Sequence, residues 1–449
     1  MATIVRQDQI TRPTYHEITR DIAATLGSPS RTYYVLLGIV VAVFAVGVGA
    51  LLYQVRFGLG VAGYTPPVMW GVYITTFVFW VGIAHSGTLI SAILYLFRSA
   101  WRTAVYRTAE AMTVFAVMTA GLFPVIHVGR LWYAYWLFPY PNQRQLWVNF
   151  KSPLLWDVFA VSTYFTVSTL FLIVGLVPDI AALRSTATGW RKKLYEITSL
   201  GWRGTDQQWR HYTRAYLYLA ALATPLVLSV HSVVSWDFAM SIVPGWHATI
   251  FAPYFVAGAI YSGVAMVVTL LVPLRKVFKV ERYITVEHFE NLSKLLLLTG
   301  MIVAYAYAVE YFIAWYSGNP FEQQSFWNRA FGDYWWATWT MILCNGALPL
   351  FLFFRKVRRS IPALFVLSLF VNLGMWFERF VIIVVSLSHE YEPYAFGHYT
   401  PTWVEWSILA GSFGWFFMWF LLFAKNFPTV SITEVKEIIP LPRKERART

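Results

Sequence analysis

The chain has 449 residues, of which 58% are hydrophobic and only 13% charged, and its mean hydropathy is +0.53, a composition outside the range of soluble globular proteins. A net charge of +13 would suit nucleic acid, but the Lys and Arg are spread over loops rather than gathered on a basic domain, so no nucleic-acid partner is expected and a polytopic membrane protein is. The single cysteine, Cys344, can build neither a disulfide nor an iron-sulfur cluster from this chain alone.

A polar lead, residues 1–32, precedes the first apolar run and lacks the short apolar region and cleavage site of a secretory signal, so the first helix is expected to stay. Within it, residues 12–26 mix polar and apolar positions at helical spacing, which suits a membrane surface, a partner or solvent. A bilayer core of about 30 Å takes about 20 helical residues to cross. Ten apolar windows therefore predict ten transmembrane helices in a domain 33–424: 33–53, 68–96, 103–127, 154–177, 212–236, 248–272, 292–316, 335–354, 361–387 and 404–423. Their continuous apolar character selects helices over the alternating strands of a barrel. Kinks are expected near Pro124, Pro225, Pro253 and Pro349. Residues 425–449, with Arg443, Lys444, Arg446 and Arg448, read as a basic tail.

The loops after the second, fourth, sixth and eighth helices carry the Lys and Arg, including Arg98, Arg102 and Arg107 after the second and Arg191, Lys192 and Lys193 after the fourth. This positive-inside pattern places both termini in the cytoplasm. The opposite loops, 131–153 and 318–333, are dense in aromatics, as an interfacial belt or a docking surface for an extracytoplasmic subunit would be.

Ionisable side chains cost roughly 2.5 to 3.5 kcal/mol each at the centre of an inserted helix, so those kept at membrane depth usually pair or move protons. His127 and Asp157 sit at the facing outer ends of the third and fourth helices, with Arg130 on the same helical face if the helix continues past His127. A neutral His accepts a proton from a hydroxyl, and a nearby carboxylate holds its tautomer and takes the next proton. Hydroquinone oxidation requires both. The alternative is a pair that only fastens two helices.

Other ionisable groups lie along the helices: His85, Glu110, His231, Asp237, Glu310, and Glu378 beside Arg379. Adjacent residues do not face each other on a helix, so Glu378 and Arg379 are expected to have separate partners. A proton path from Glu110 past His85 to the outer site is one reading of the set, and helix-helix hydrogen bonding the other. His85, His127 and His231 lie at different levels, which speaks against a haem between facing helices.

The segment 79–98 (FWVGIAHSGTLISAILYLFR), the run 147–184 around Asp157 and the stretch 228–263 (LSVHSVVSWDFAMSIVPGWHATIFAPYFVAGAIYSG) resemble the NrfD or polysulfide-reductase membrane-subunit family. Within it they are most similar to the large quinol-binding membrane subunit of bacterial alternative complex III. The likeness covers roughly residues 33–425. It implies two four-helix bundles side by side with two flanking helices, in a bacterial inner membrane. It further implies a quinol site, for menaquinol or ubiquinol, formed by His127 and Asp157 with Arg130, Trp156 and Tyr164 nearby, and proton-conducting roles for His85, Glu110, Glu310 and Glu378 with Arg379. Electrons would pass to an extracytoplasmic iron-sulfur or molybdoenzyme-like partner, with cytochrome c subunits and a second NrfD-like membrane subunit in the complex; no haem or cluster is expected on this chain. The expected function is quinol oxidation with protons released outside. Rival readings are a secondary transporter or channel, and a membrane anchor or quinone-reducing subunit of a polysulfide-reductase-like molybdoenzyme.

Overall fold

The computed structural model describes residues 13–138, 150 and 153–438. Each predicted window forms a helix long and apolar enough to cross a membrane. They are α1 (Arg31–Phe57), α2 (Val72–Leu96), α3 (Tyr106–His127), α4 (Pro153–Arg184), α5 (Asp206–Ala239), α6 (Phe251–Val277), α7 (Val286–Tyr316), α8 (Trp335–Phe353), α9 (Ile361–Val385) and α10 (Trp403–Asn426). The helices α4 and α5 contain 32 and 34 residues, so at about 1.5 Å per residue they run roughly 48 and 51 Å and project beyond a bilayer core. Local chemistry sets these ends: α5 starts six residues before its apolar window because Thr205 and Gln208 form a reciprocal capping box.

Helices α2 to α5 pack as one bundle and α6 to α9 as a second, with α2 against α6 at the centre. The flanking pair α1 and α10 pack tightly on each other, and α10 leans on α3. Small residues make that seam: a Cβ added to Gly47 would lie 2.6 Å from the Gly411 Cα. The other side of α1 is exposed and apolar, and only Gly47, Ala50 and Gln54 of this helix are buried.

The proline expectations divide. The backbone of α3 is interrupted at Gly121, three residues before Pro124, and α8 changes to a 3-10 helix at Leu348–Phe353, around Pro349. By contrast α5 continues as α-helix through Pro225, and Pro253 falls in the first turn of α6, where its missing N–H leaves no bond unmade. Hydropathy gave no hint of three π-helical turns, Leu89–Ile93 in α2, Leu343–Ala347 in α8 and Val381–Val385 in α9.

On the basic face the lead segment is part of the fold. Helix Tyr15–Thr25 buries Ile18 and Ile22, and the Tyr283 hydroxyl donates to Asp21 at 3.0 Å. The first part of the segment after α10, read from sequence as a basic tail, packs on the helices. Helix Ile432–Ile438 docks through Arg102 to Glu434 at 2.6 Å and through the Thr433 amide and hydroxyl to Asp179 at 2.9 and 2.8 Å. The remaining tail, with its four basic residues, and loop residues 139–149 lie outside the described residues.

Candidate functional site

On the face opposite the basic loops, α3 ends at His127 and α4 begins at Pro153, so His127 and Asp157 meet the same cavity of about 260 Å³. Its polar side carries His127, Asp157 and Asp237, the last from α5, while Trp70, Phe77 and Phe138 supply aromatic walls. His127 and Asp157 do not pair with each other: His127 Nδ1 and Asp157 Oδ1 are buried atoms without hydrogen-bond partners. Asp157 instead stands beside Asp237 on the same polar wall, close enough for the two carboxyls to interact. Two adjacent carboxylates repel unless they share a proton. The flank formed by Gly121, Leu154 and Ser162 is exposed on the side of the bundle.

The third polar group was missed as part of the site, although the sequence carries a signal for it. The dipeptide Trp-Asp occurs at Trp156–Asp157 near the start of α4 and at Trp236–Asp237 near the end of α5. Where these antiparallel helices meet, the two Trp rings stand edge to face at 5.9 Å and the two carboxyls touch.

The mounting of His127 was also invisible in the sequence. Its ring stands edge-on to Tyr64 at 5.4 Å, and Tyr64 stacks on Tyr399 at 5.7 Å. The Tyr399 hydroxyl donates to Glu405, whose other oxygen accepts the Gly63 and Thr402 amides at 2.7 and 3.0 Å. From the flanking helix α1, Gln54 donates to the Ile126 carbonyl at 2.9 Å and accepts from the Tyr73 hydroxyl at 2.5 Å.

The weaker neighbours of the site lie elsewhere. Gly129 at φ +86° ends α3 and turns the chain away, leaving Arg130 exposed over Trp132 rather than on the His127 face. Trp156 donates to the Phe150 carbonyl at 2.6 Å and packs on Trp236, outside the cavity lining. Tyr164 is deeper in the bundle: its hydroxyl pairs with Thr88 at 2.6 Å and donates to the Ala84 carbonyl at 3.0 Å, and its ring stacks on His85 at 4.9 Å.

His85 and His231 are not at different levels, because their rings meet at 4.6 Å. No hydrogen bond reaches either ring nitrogen of His231, and Nε2 of His85 is likewise buried without a partner. Next to them Arg379 covers the Phe255 ring at 4.4 Å. The expectation of separate partners for Glu378 and Arg379 is also corrected, since Arg379 Nη1 lies 2.8 Å from Glu378 Oε1. Helical spacing governs where the Cβ atoms point, whereas a long guanidinium arm reaches around its own helix. Glu378 has an additional partner in the Tyr307 hydroxyl, which donates to it, and Asn345 donates to Tyr307 at 3.0 Å. The π turns adjoin this layer: Asn345 lies inside one, and Val381–Val385 directly follows Phe380 after the Glu378–Arg379 pair.

Glu310 on α7 has a buried Oε1 without a hydrogen-bond partner. Glu110 lies toward the basic face in a buried cluster, 3.3 Å from Arg107 and accepting from Tyr216 at 3.1 Å, and Arg107 also reaches Asp179 at 3.1 Å. Between Glu110 and His85 stand the hydroxyls of Thr113, Thr88 and Tyr164, the first donating to the Ala84 carbonyl at 2.7 Å.

The arrangement is that of a polytopic helical membrane subunit with a small, part-aromatic pocket built into its first bundle. Residues 60–388 match the family model described as Polysulphide reductase, NrfD, and the chain belongs to that family. It is 29% identical over 80% of its length, and 78% of the relative's, to a Halobacterium salinarum chain provisionally named as a membrane subunit of dimethyl sulfoxide reductase. It is also similar to a selenate reductase subunit of Mesobacillus selenatarsenatis, at 24% identity over 82% of this chain and 88% of the other. A third relative, the Hdr-like menaquinol oxidoreductase integral membrane subunit of Archaeoglobus fulgidus, is 21% identical over 91% of this chain and 96% of its own.

Proposed function

We propose that this chain is the quinol-oxidising membrane subunit of a multi-subunit electron-transfer complex resembling alternative complex III. The observation that carries the reading is the cavity at the ends of α3, α4 and α5, where unpaired buried atoms of His127, Asp157 and Asp237 face aromatic walls. Its 260 Å³ is below the roughly 300–1,000 Å³ of sites that enclose whole drug-sized ligands. It suits one quinol ring, with the isoprenoid tail leaving through the exposed flank into lipid. The names of the three relatives, subunits of a dimethyl sulfoxide reductase, a selenate reductase and a menaquinol oxidoreductase, support a multi-subunit redox complex that meets quinol.

Oxidation of the ring removes two protons and two electrons. His127 Nδ1 accepts one hydroxyl proton. The second goes to the Asp157–Asp237 pair: with one proton shared between the adjacent carboxyls, one further acceptor position is left. Both protons leave on the side of the Tyr64, Tyr399 and Glu405 cluster, taken as the outside because the opposite loops are basic. Both electrons pass to an iron-sulfur or molybdoenzyme-like partner docked on the aromatic loops. Cytochrome c subunits and a second NrfD-like membrane protein complete the assembly in a bacterial inner membrane. Glu110, His85, His231, Glu310, Glu378 and Arg379 form the candidate route for proton translocation.

The test is quinol-driven reduction of the partner's centre in assembled complexes carrying His127→Ala or Asp157→Asn. A positioned proton acceptor contributes about 10²–10⁴-fold. Losses of that order are expected, and wild-type turnover in both variants would end the assignment.

A further inference from the structure

A second cavity, of about 720 Å³, opens on the basic face where the lead segment, the start of α1, the loop after α4 and the end of α10 converge. Its charged lining consists of Arg191 and Lys425, with no Asp or Glu among the lining residues. The two cations are neighbours: Arg191 donates to the carbonyls of Leu26 and of Lys425 itself, and the Lys425 ammonium donates to the Thr25 carbonyl at 3.1 Å. All three bonds go to neutral backbone oxygens. Lys425 is 7% exposed, and among the described residues neither cation takes part in an ion pair.

Two neighbouring like charges in one cavity, Lys425 buried and Arg191 half-buried, are unfavourable unless an anion joins them. Ser28 and Thr188 add hydroxyl donors on the same wall. Toward the bilayer the cavity is bounded by Tyr34, Leu37 and Leu422, and the adjoining α1 surface continues as exposed Val35, Leu36 and Ile39. A site with cations at the helix ends and an apolar helix flank leading away from them matches an amphiphile with an anionic head. We infer that this cavity binds the phosphate head group of an anionic phospholipid, held by Arg191 and Lys425, with the acyl chains lying along α1.

The experiment is native mass spectrometry of the detergent-purified, delipidated protein titrated with phosphatidylglycerol, with phosphatidylcholine, or with inorganic phosphate alone. Retention of phosphatidylglycerol in preference to phosphatidylcholine, weakening as salt is raised, is expected of the wild type and needs no variant. Each basic group near a lipid surface is worth about fivefold in affinity, so Arg191→Gln with Lys425→Gln should weaken phosphatidylglycerol binding by roughly 30-fold. Equal retention of both lipids, an unchanged affinity in a folded double variant, or phosphate alone competing as well as lipid would overturn the proposal. Should the double variant not fold, the lipid preference and salt dependence of the wild type decide it.

Discussion

Gln54 is a buried polar residue on a helix whose remaining buried positions are Gly47 and Ala50, and it reaches across to the carbonyl immediately before His127. Replacing it with Leu keeps the volume nearly constant and removes both bonds. The two partners are not equally affected: the Ile126 carbonyl keeps the Gly129 amide at 3.0 Å, whereas the Tyr73 hydroxyl loses the acceptor it has at 2.5 Å. Side-chain hydrogen bonds inside membranes average about 0.6 kcal/mol and reach about 1.7. The loss therefore comes to about 1–2 kcal/mol, or roughly 5- to 30-fold if it is expressed at the His127 end of α3. The assay is steady-state quinol oxidation by the assembled complex, read as separate kcat and KM, beside the thermal midpoint of the solubilised protein. Gln54→Leu is expected to raise KM, and adding Tyr73→Phe, which removes the orphaned hydroxyl, to recover stability but not KM. If KM recovers together with stability, Gln54 is a packing residue and the positioning argument fails.

Asp237→Asn keeps a group that can pair with Asp157 but removes a proton acceptor; turnover is expected to fall about 10²-fold or more with quinol binding retained, and an unaltered rate would leave Asp157 acting alone. Burial pushes the Glu434 carboxyl above the usual glutamate range, against the pull of Arg102 and Arg107. A raised folded value means that docking of Ile432–Ile438 is favoured at low pH and weakens as pH rises through that value. Arg102→Gln removes the nearest opposing charge and should make protease cleavage after α10 rise more steeply toward alkaline pH, at a cost approaching about 3–5 kcal/mol where Glu434 must ionise unpaired; Glu434→Gln should flatten the profile. Gly411→Val places a side chain where even an added Cβ would lie 2.6 Å from the Gly47 Cα; overpacking of about 1–3 kcal/mol should lower the thermal midpoint, and an unchanged midpoint would mean the α1–α10 seam is loose.

The ten spans were legible because hydropathy over about 20 residues is a strong signal, and their ends were not, because caps such as Thr205 with Gln208 extend helices into polar sequence. His127 and Asp157 were found as candidates from their cost at membrane depth, and both line one cavity. Whether the two would pair directly or face a ligand from two sides was left open by the sequence: the packing of α4 against α5 sets Asp157 beside Asp237 rather than on His127, and no single-helix periodicity encodes that packing. Arg130 lies off the His127 face for a local reason, the positive φ of Gly129 that stops the helix. The meeting of His85 with His231 depends on how α2, with its π turn, packs against α5, a tertiary fact that one chain's spacing does not carry.

The exposed flank at Gly121, Leu154 and Ser162 fixes what concentration means for this pocket. A ligand arriving from the side travels in two dimensions and is counted as a mole fraction of the surrounding lipid, not as molarity in water. On the proposed function, saturation is therefore set by how much quinol the bilayer holds, so diluting the protein with added lipid at constant total quinol is expected to lower turnover even though nothing in the aqueous phase has changed.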